Sequence, residues 1–221
     1  MISIDPDQYF FLLLRNGMRQ QTMLALLKIY SMKKAFFLLA AFAGLTAFTT
    51  FNGVWKNDAA HSQLSFTVTH LGLAEVTGTF NDFDVTITAA KPDFSDASFE
   101  LTAKAASLDT RVEARNNHLK SADFFDVEKF PTLSFKSNGI KSSGKNTYKL
   151  TGNLTMHGIT KPVTFDLLYA GTITHPMSKK PTAGFQLTGV IKRSDFQIGN
   201  GFPAPMISDE VKIKADGEFA Q

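Results

Sequence analysis

Tyr148-Lys149-Leu150-Thr151-Gly152-Asn153-Leu154-Thr155-Met156-His157-Gly158-Ile159-Thr160-Lys161-Pro162-Val163-Thr164-Phe165-Asp166-Leu167-Leu168-Tyr169 decides the fold. Tyr148, Leu150, Gly152, Leu154 and Met156 alternate with polar neighbours, and beyond Gly158 so do Val163, Phe165, Leu167 and Tyr169. A period of two sends successive side chains to opposite faces of a strand. The stretch therefore predicts two half-buried strands joined as a hairpin at Gly158.

The same pattern spreads in both directions. Trp55 opens the domain, His61-Ser62-Gln63 predicts a polar turn, and Leu64, Phe66 and Val68 alternate with Ser65, Thr67 and Thr69 until Gly72. Val76–Phe80 and Phe83–Ile87 continue it with a kink near Asn81-Asp82. Lys91-Pro92-Asp93 is a turn, and Phe99, Leu101, Ala103 and Ala105 follow. Further strands are predicted at Leu133 and Phe135, at Phe185 to Ile191, and at Val211 to Phe219. About eight strands with turn signals roughly every ten residues predict an all-β barrel or sandwich. Long strands joined by hairpins favour an eight-stranded antiparallel up-and-down barrel, because closure removes exposed edges. Such a barrel is filled by side chains or holds one small ligand. Gly78, Gly152 and Gly189 fall inside strands, where they mark barrel-corner bends or leave space for a ligand.

Residues 109–130 break the pattern with a helical insert. Asp109 or Thr110 is placed to cap a helix, and Val112, Arg115 and Leu119 fall near one helical face. Ser121 restarts a short turn with Asp123 near its start, and Pro131 ends it. Phe124, Phe125 and Phe130 thereby come beside Arg111, Arg115, Asn116, Asn117 and His118, an apolar wedge with a polar rim that suits a pocket mouth.

The amino-terminal region reads differently. Met32-Lys33-Lys34 precedes the apolar run Ala35–Ala43, with small residues up to Ala47. This has the form of a secretory signal peptide over 32–47, cleaved near Ala47, and implies a periplasmic or secreted protein. A membrane anchor is the alternative, but the run is short of the ~20 apolar residues a span needs. Residues 1–31 then read as an upstream extension outside the fold, and 53–221 as the barrel domain. Arg15, Arg19, Lys28, Lys33 and Lys34 outweigh Asp5 and Asp7 by three, which accounts for the whole net charge of +3. The rest is balanced and has no basic run, so nucleic acid is not an expected partner. The absence of cysteine excludes disulfides, thiolate metal sites and a cysteine nucleophile.

The chemistry inside the barrel is expected to be apolar. Of the aromatic residues, 21 are Phe, 4 Tyr and 1 Trp, so few carry a polar handle. Phe66, Phe80, Phe99, Phe135, Phe165 and Phe185 are candidates to line the lumen, with Val68, Leu101, Leu154 and Leu187 in the same strand phases and Phe124 and Phe125 from the insert. Such a wall suits a flexible apolar tail, since each buried CH₂ contributes about 0.8 kcal/mol. Arg111, Arg115, Asn116 and His118 are the candidates for the mouth, where Arg111, Arg115 and Lys120 can meet a phosphate or quinone oxygen. His61, His70, His118, His157 and His175 show no HxxxH or HxH spacing, so no metal is expected. No G-x-S-x-G or H-E-x-x-H motif is present, and the glycines of Ile198–Pro203 precede prolines rather than a helix. No catalytic residue and no cofactor is assigned.

Three ordered motifs resemble the YceI-like family, secreted lipocalin-like proteins that bind polyisoprenoid chains. They are Trp55…Asp58…His61-Ser62…Phe66…His70 with Gly78-Thr79-Phe80, then Asp109-Thr110…Arg115–Asp126…Phe130-Pro131, then Gly152–Val163. The likeness spans about Trp55 to Phe219. It implies an elongated barrel whose lumen takes an isoprenoid tail, of a polyprenyl chain or quinone. Asn116 departs from the family pattern, which has Asp after the Arg, and leaves Arg115 without that neighbouring carboxylate. The expected function is sequestration or carriage of an isoprenoid lipid, by burial and not catalysis. Transient membrane contact and a homodimer are both compatible with it. The rivals are a small hydrolase or isomerase using His118 with Asp109 or Asp123, and a solid barrel acting through its surface.

Overall fold

The computed structural model describes residues 53–221. The expected upstream extension and signal peptide lie outside the described residues. The strands are β1 (Gly53–His70), β2 (Ala74–Phe80), β3 (Phe83–Ala89), β4 (Ser98–Lys104), β5 (Leu108–Asp109), β6 (Thr132–Gly144), β7 (Thr147–Met156), β8 (Ile159–Thr174), β9 (Pro181–Lys192) and β10 (Glu210–Ala220). Helix α1 (Glu113–Lys120) lies between β5 and β6.

These ten segments make eight staves. One end of β1 pairs with β3 and the other with β2, so β2 and β3 form one stave kinked at Asn81-Asp82, as the sequence suggested. β4 and β5 form the next, interrupted by a 3-10 turn at Ala105–Ser107. β6 to β10 follow in order, each antiparallel to the last, and β10 pairs back with β1. The result is the closed eight-stranded antiparallel barrel the periodicity predicted. Tyr148, Leu150, Leu154 and Met156 of β7 are buried together with Phe165 and Leu167 of β8. His157 and Gly158, with φ of 50° and 72°, turn the chain between those two strands.

The predicted turn at His61-Ser62-Gln63 is instead a bulge in an unbroken strand. Pairing of β1 with β10 shifts between Asn57 and Ser62. The Asn57 side chain accepts from Val85 N–H at 2.7 Å and reaches the Phe83 carbonyl at 3.4 Å, replacing strand bonds lost there. His61 Nδ1 lies 2.9 Å from Asp58 Oδ2, a bond that lowers the Asp58 carboxyl and raises the His61 imidazole.

The strand glycines do not leave open ligand space. Phe66 stands directly opposite Gly78 in the β1–β2 register, and Phe165 is placed opposite Gly189 by the β8–β9 register. A Cβ on Gly78 would strike the Phe66 ring, and one on Gly189 the Phe165 ring. Gly152 likewise seats Phe135, whose Cζ would lie 2.5 Å from an added Cβ. Each glycine is the seat of an inward phenylalanine. The far end of the barrel is plugged by Phe94 of the β3–β4 loop, fully buried against Trp55, Tyr169 and Phe185.

Candidate functional site

Among the described residues β5 pairs only with β2, and β6 pairs with β4, so there the barrel wall is unpaired between β5 and β6 at one end. The insert from Thr110 to Pro131 covers that end on one side and residues 193–209 cover it on the other. Between them lies an apolar cavity of about 340 Å³, within the roughly 300–1,000 Å³ typical of small-molecule sites. Its walls include Phe66, Val68 and Phe80 from the strands, Leu119, Phe124 and Phe125 from the insert, and Ile198, Phe202 and Met206 opposite.

The helical cover is built otherwise than its sequence suggested. Asp109 and Thr110 do not cap α1, which begins after Val112 with no side-chain cap. Both are engaged nearby. Asp109 Oδ1 accepts from Arg111 N–H and from Asn116 Nδ2, each at 2.8 Å, and these bonds lower its carboxyl below the usual range. Asn116 Oδ1 accepts from Thr110 N–H at 2.8 Å and from the Thr110 hydroxyl at 2.6 Å. Arg115 donates from Nε to the Thr110 hydroxyl at 2.8 Å and from Nη2 to the Thr110 carbonyl at 2.7 Å. Arg115 therefore takes its partner from Thr110, and the amide at position 116 serves both neighbours, accepting from Thr110 and donating to Asp109. A carboxylate there would accept from Thr110 but repel Asp109. The turn expected at Ser121 is present, with Phe124 and Asp126 N–H bonded to its carbonyl at 3.1 and 2.9 Å.

Among the described residues, the polar groups lining the cavity are Thr110, Arg115, His118, His70 and Arg193, with no carboxylate. His118 Nε2 lies 3.1 Å from Asp123 Oδ2, while its ring meets Phe124 and Phe202 edge-on. Phe124 and Phe202 stack at 4.8 Å, joining the two covers. Arg193 is 7% exposed and donates to the carbonyls of Ile198, Gly199, Phe202, Ile207 and Ser208. Those bonds use all five guanidinium N–H donors and fold the segment after β9 into a wall.

Beyond the mouth the bore narrows. Phe66, Phe80 and Phe125, with centroids 5.5 to 6.4 Å apart, cluster on the inner wall of the mouth cavity. Past them lie apolar compartments of about 80 and 60 Å³. The first is lined by Leu101, Phe135, Leu154, Phe165 and Leu187, the second by Phe99, Leu101, Phe135, Phe185 and Leu187. All twelve residues expected on the lumen thus lie on the wall of one of these three spaces. Of the expected mouth residues, Arg115 and His118 line the cavity, whereas Arg111 and Asn116 do not. Arg111 is exposed, and Asn116 is committed to bracing Thr110 and Asp109. A larger groove of about 490 Å³ beside the β1 bulge is polar and open, lined by His61, Gln63, Asn81 and Asp216 among others, and does not suit an apolar tail.

Sequence reasoning missed Arg193, His70 and Met206 as cavity residues. Arg193 carried a signal, because it continues the inward phase Phe185, Leu187, Gly189, Ile191. An arginine in that phase must find buried acceptors.

A closed antiparallel barrel with an apolar cavity under a helical cover defines a lipocalin-like fold. Residues 55–219 match the YceI-like domain, and the chain belongs to that family. A UPF0312 protein of Staphylococcus aureus is 35% identical over 167 residues, covering 74% of this chain and 95% of the relative. The crystal structure of BcnA from Burkholderia cenocepacia aligns with a TM-score of 0.67 at 27% identity, covering 73% of this chain and 98% of BcnA. A polyisoprenoid-binding domain from Saccharophagus degradans shares the fold, with a TM-score of 0.57 at 14% identity over 76% of this chain and 98% of that domain.

Proposed function

We propose that the protein is a periplasmic or secreted carrier that sequesters an isoprenoid lipid in the barrel, without catalysis. The observation that carries this is the apolar mouth cavity of about 340 Å³ leading, through shared phenylalanine walls, to two deeper compartments. Membership of the YceI-like family and a fold shared with a polyisoprenoid-binding domain support the same ligand class. Each CH₂ moved from water into such a wall contributes about 0.8 kcal/mol, so a tail binds without strong polar contacts. The polar end of the lipid lies at the rim beside Arg115, whose Nη1 holds no acceptor among the described residues, and His118. A long tail enters the inner compartments by turning rings such as Phe66 and Phe80.

Organic extraction of protein purified from its native host, followed by mass spectrometry, tests this. A long-chain isoprenoid in near-stoichiometric amount is expected. Repeated extracts holding only host phospholipid, or no lipid, would overturn it.

A further inference from the structure

We infer that the β1–β2 hairpin tip, Leu71-Gly72-Leu73, together with Met206, is a lip that inserts into a lipid bilayer. The inference rests on the lipid-guest function above and adds the surface from which the guest is exchanged.

The tip breaks a local rule. Leu71 and Gly72 have φ of 53° and 69°, and Leu73 N–H returns to the His70 carbonyl at 3.0 Å. A turn with both central positions left-handed favours Asn-Gly, because Cβ crowds the following carbonyl oxygen and a short polar side chain offsets that by bonding locally. Here the first position is a leucine. Burial does not compensate: Leu71 is 55% and Leu73 87% exposed. Two apolar side chains are held in water at a turn whose geometry prefers a polar one. Local rules broken without structural gain mark functional positions.

The tip is also fastened to the cavity entrance. Leu71 N–H donates to the Met206 carbonyl at 3.0 Å, His70 bridges to Ile207, and Ser208 N–H donates to the Thr69 carbonyl at 2.9 Å. Met206 is 43% exposed and also lines the cavity, as do His70 and Ile207. The exposed leucines are therefore continuous with the apolar lining, and a tail leaving the cavity need not cross water. A second copy of the chain fits this surface poorly. A stable protein interface buries about 800 Å² per partner, and this is a narrow wedge on a closed barrel with little free strand edge to pair. A bilayer interface accepts just such a shallow apolar wedge.

The chain has no cysteine, so one introduced thiol takes a unique environment-sensitive label. The protein is produced from the full chain in a secreting host, labelled at Leu73→Cys or, at the opposite end of the barrel, at Met177→Cys, which is also exposed at 84%. Vesicles of phosphatidylcholine and phosphatidylglycerol, free of isoprenoid, are added. A blue shift at position 73 and none at 177 is expected. In the unlabelled protein, Leu71→Asn together with Leu73→Asn is expected to weaken vesicle binding at least about tenfold. Leu71→Asn alone melts no lower than wild type, since asparagine tolerates the left-handed position. Equal shifts at both labels, or vesicle binding undiminished in the double variant, would overturn the inference. So would a shift at 73 that follows protein concentration without vesicles, which would make the lip a self-association surface. If the lip docks but no extract holds isoprenoid, the lipid function fails and not the docking. If isoprenoid is bound but the lip stays in water, only this inference falls.

Discussion

Thr110 is 3% exposed, yet its polar atoms are all engaged: its hydroxyl donates to Asn116 and accepts from Arg115, its N–H donates to Asn116, and its carbonyl accepts from Arg115. It joins the end of β5 to the first turn of α1 and so sets where the helical cover sits. Valine has nearly the same shape without the hydroxyl. Thr110→Val leaves Arg115 Nε and one Asn116 lone pair short of partners beside an apolar cavity, which costs about 1–3 kcal/mol. For a domain of this size each kcal/mol lowers Tm by roughly 2–4 °C. Thermal melts of the two proteins measure it, and coincident curves would show that the bonds add nothing net. The value of an amide at position 116 belongs to the same unit. Only a side chain that both donates and accepts serves Thr110 and Asp109 together.

At the scale of elements, the segment after β9 has no repeating secondary structure between Phe196 and Glu210, and Arg193 supplies the bonds that shape it. Arg193→Lys keeps the charge but has three donors for five carbonyls. It is expected to lose about 2–3 kcal/mol and to loosen the cavity wall at Phe202 and Met206. Urea unfolding would show a lower midpoint with an unchanged slope; an unchanged midpoint would mean water replaces the guanidinium. This wall also shows what the sequence could and could not disclose. The strands were legible because half-burial stamps a period of two on each, and the lumen rows followed from phase alone. The insert was legible as an interruption, but its cap was not, because Asp109 and Thr110 bond side chains five to seven residues on rather than capping the helix N-terminus. The glycine seats were hidden, since finding them needs the register that sets Phe66 opposite Gly78. Residues such as Phe202 and Met206 have no periodicity to read, and their place depends on Arg193 finding distant carbonyls.

For the molecule as a whole, the barrel is a wide mouth leading into a nearly packed bore, not an open tube. The mouth holds about 340 Å³ and the deeper compartments about 80 and 60 Å³. Guest length is then governed by the energy needed to move aromatic rings aside, not by a fixed depth. Phe135 is the test position. It lines both inner compartments, seats on Gly152 and meets Phe165 edge-on at 5.5 Å. Phe135→Ala merges those compartments and costs about 3–5 kcal/mol of stability through lost burial and the cavity left behind, a large share of the about 5–15 kcal/mol a fold has in hand. A tail reaching the merged space recovers part of that loss on binding, and a short tail confined to the mouth recovers none. Competition among prenols of graded length should therefore show the variant shifting its preference towards longer chains, with affinity for the shortest unchanged. The milder Phe135→Leu is expected to shift the ranking in the same direction by less. If both variants keep the wild-type ranking while remaining folded, the tail stops at the Phe66–Phe80–Phe125 cluster, and the inner rows of phenylalanine serve only as core.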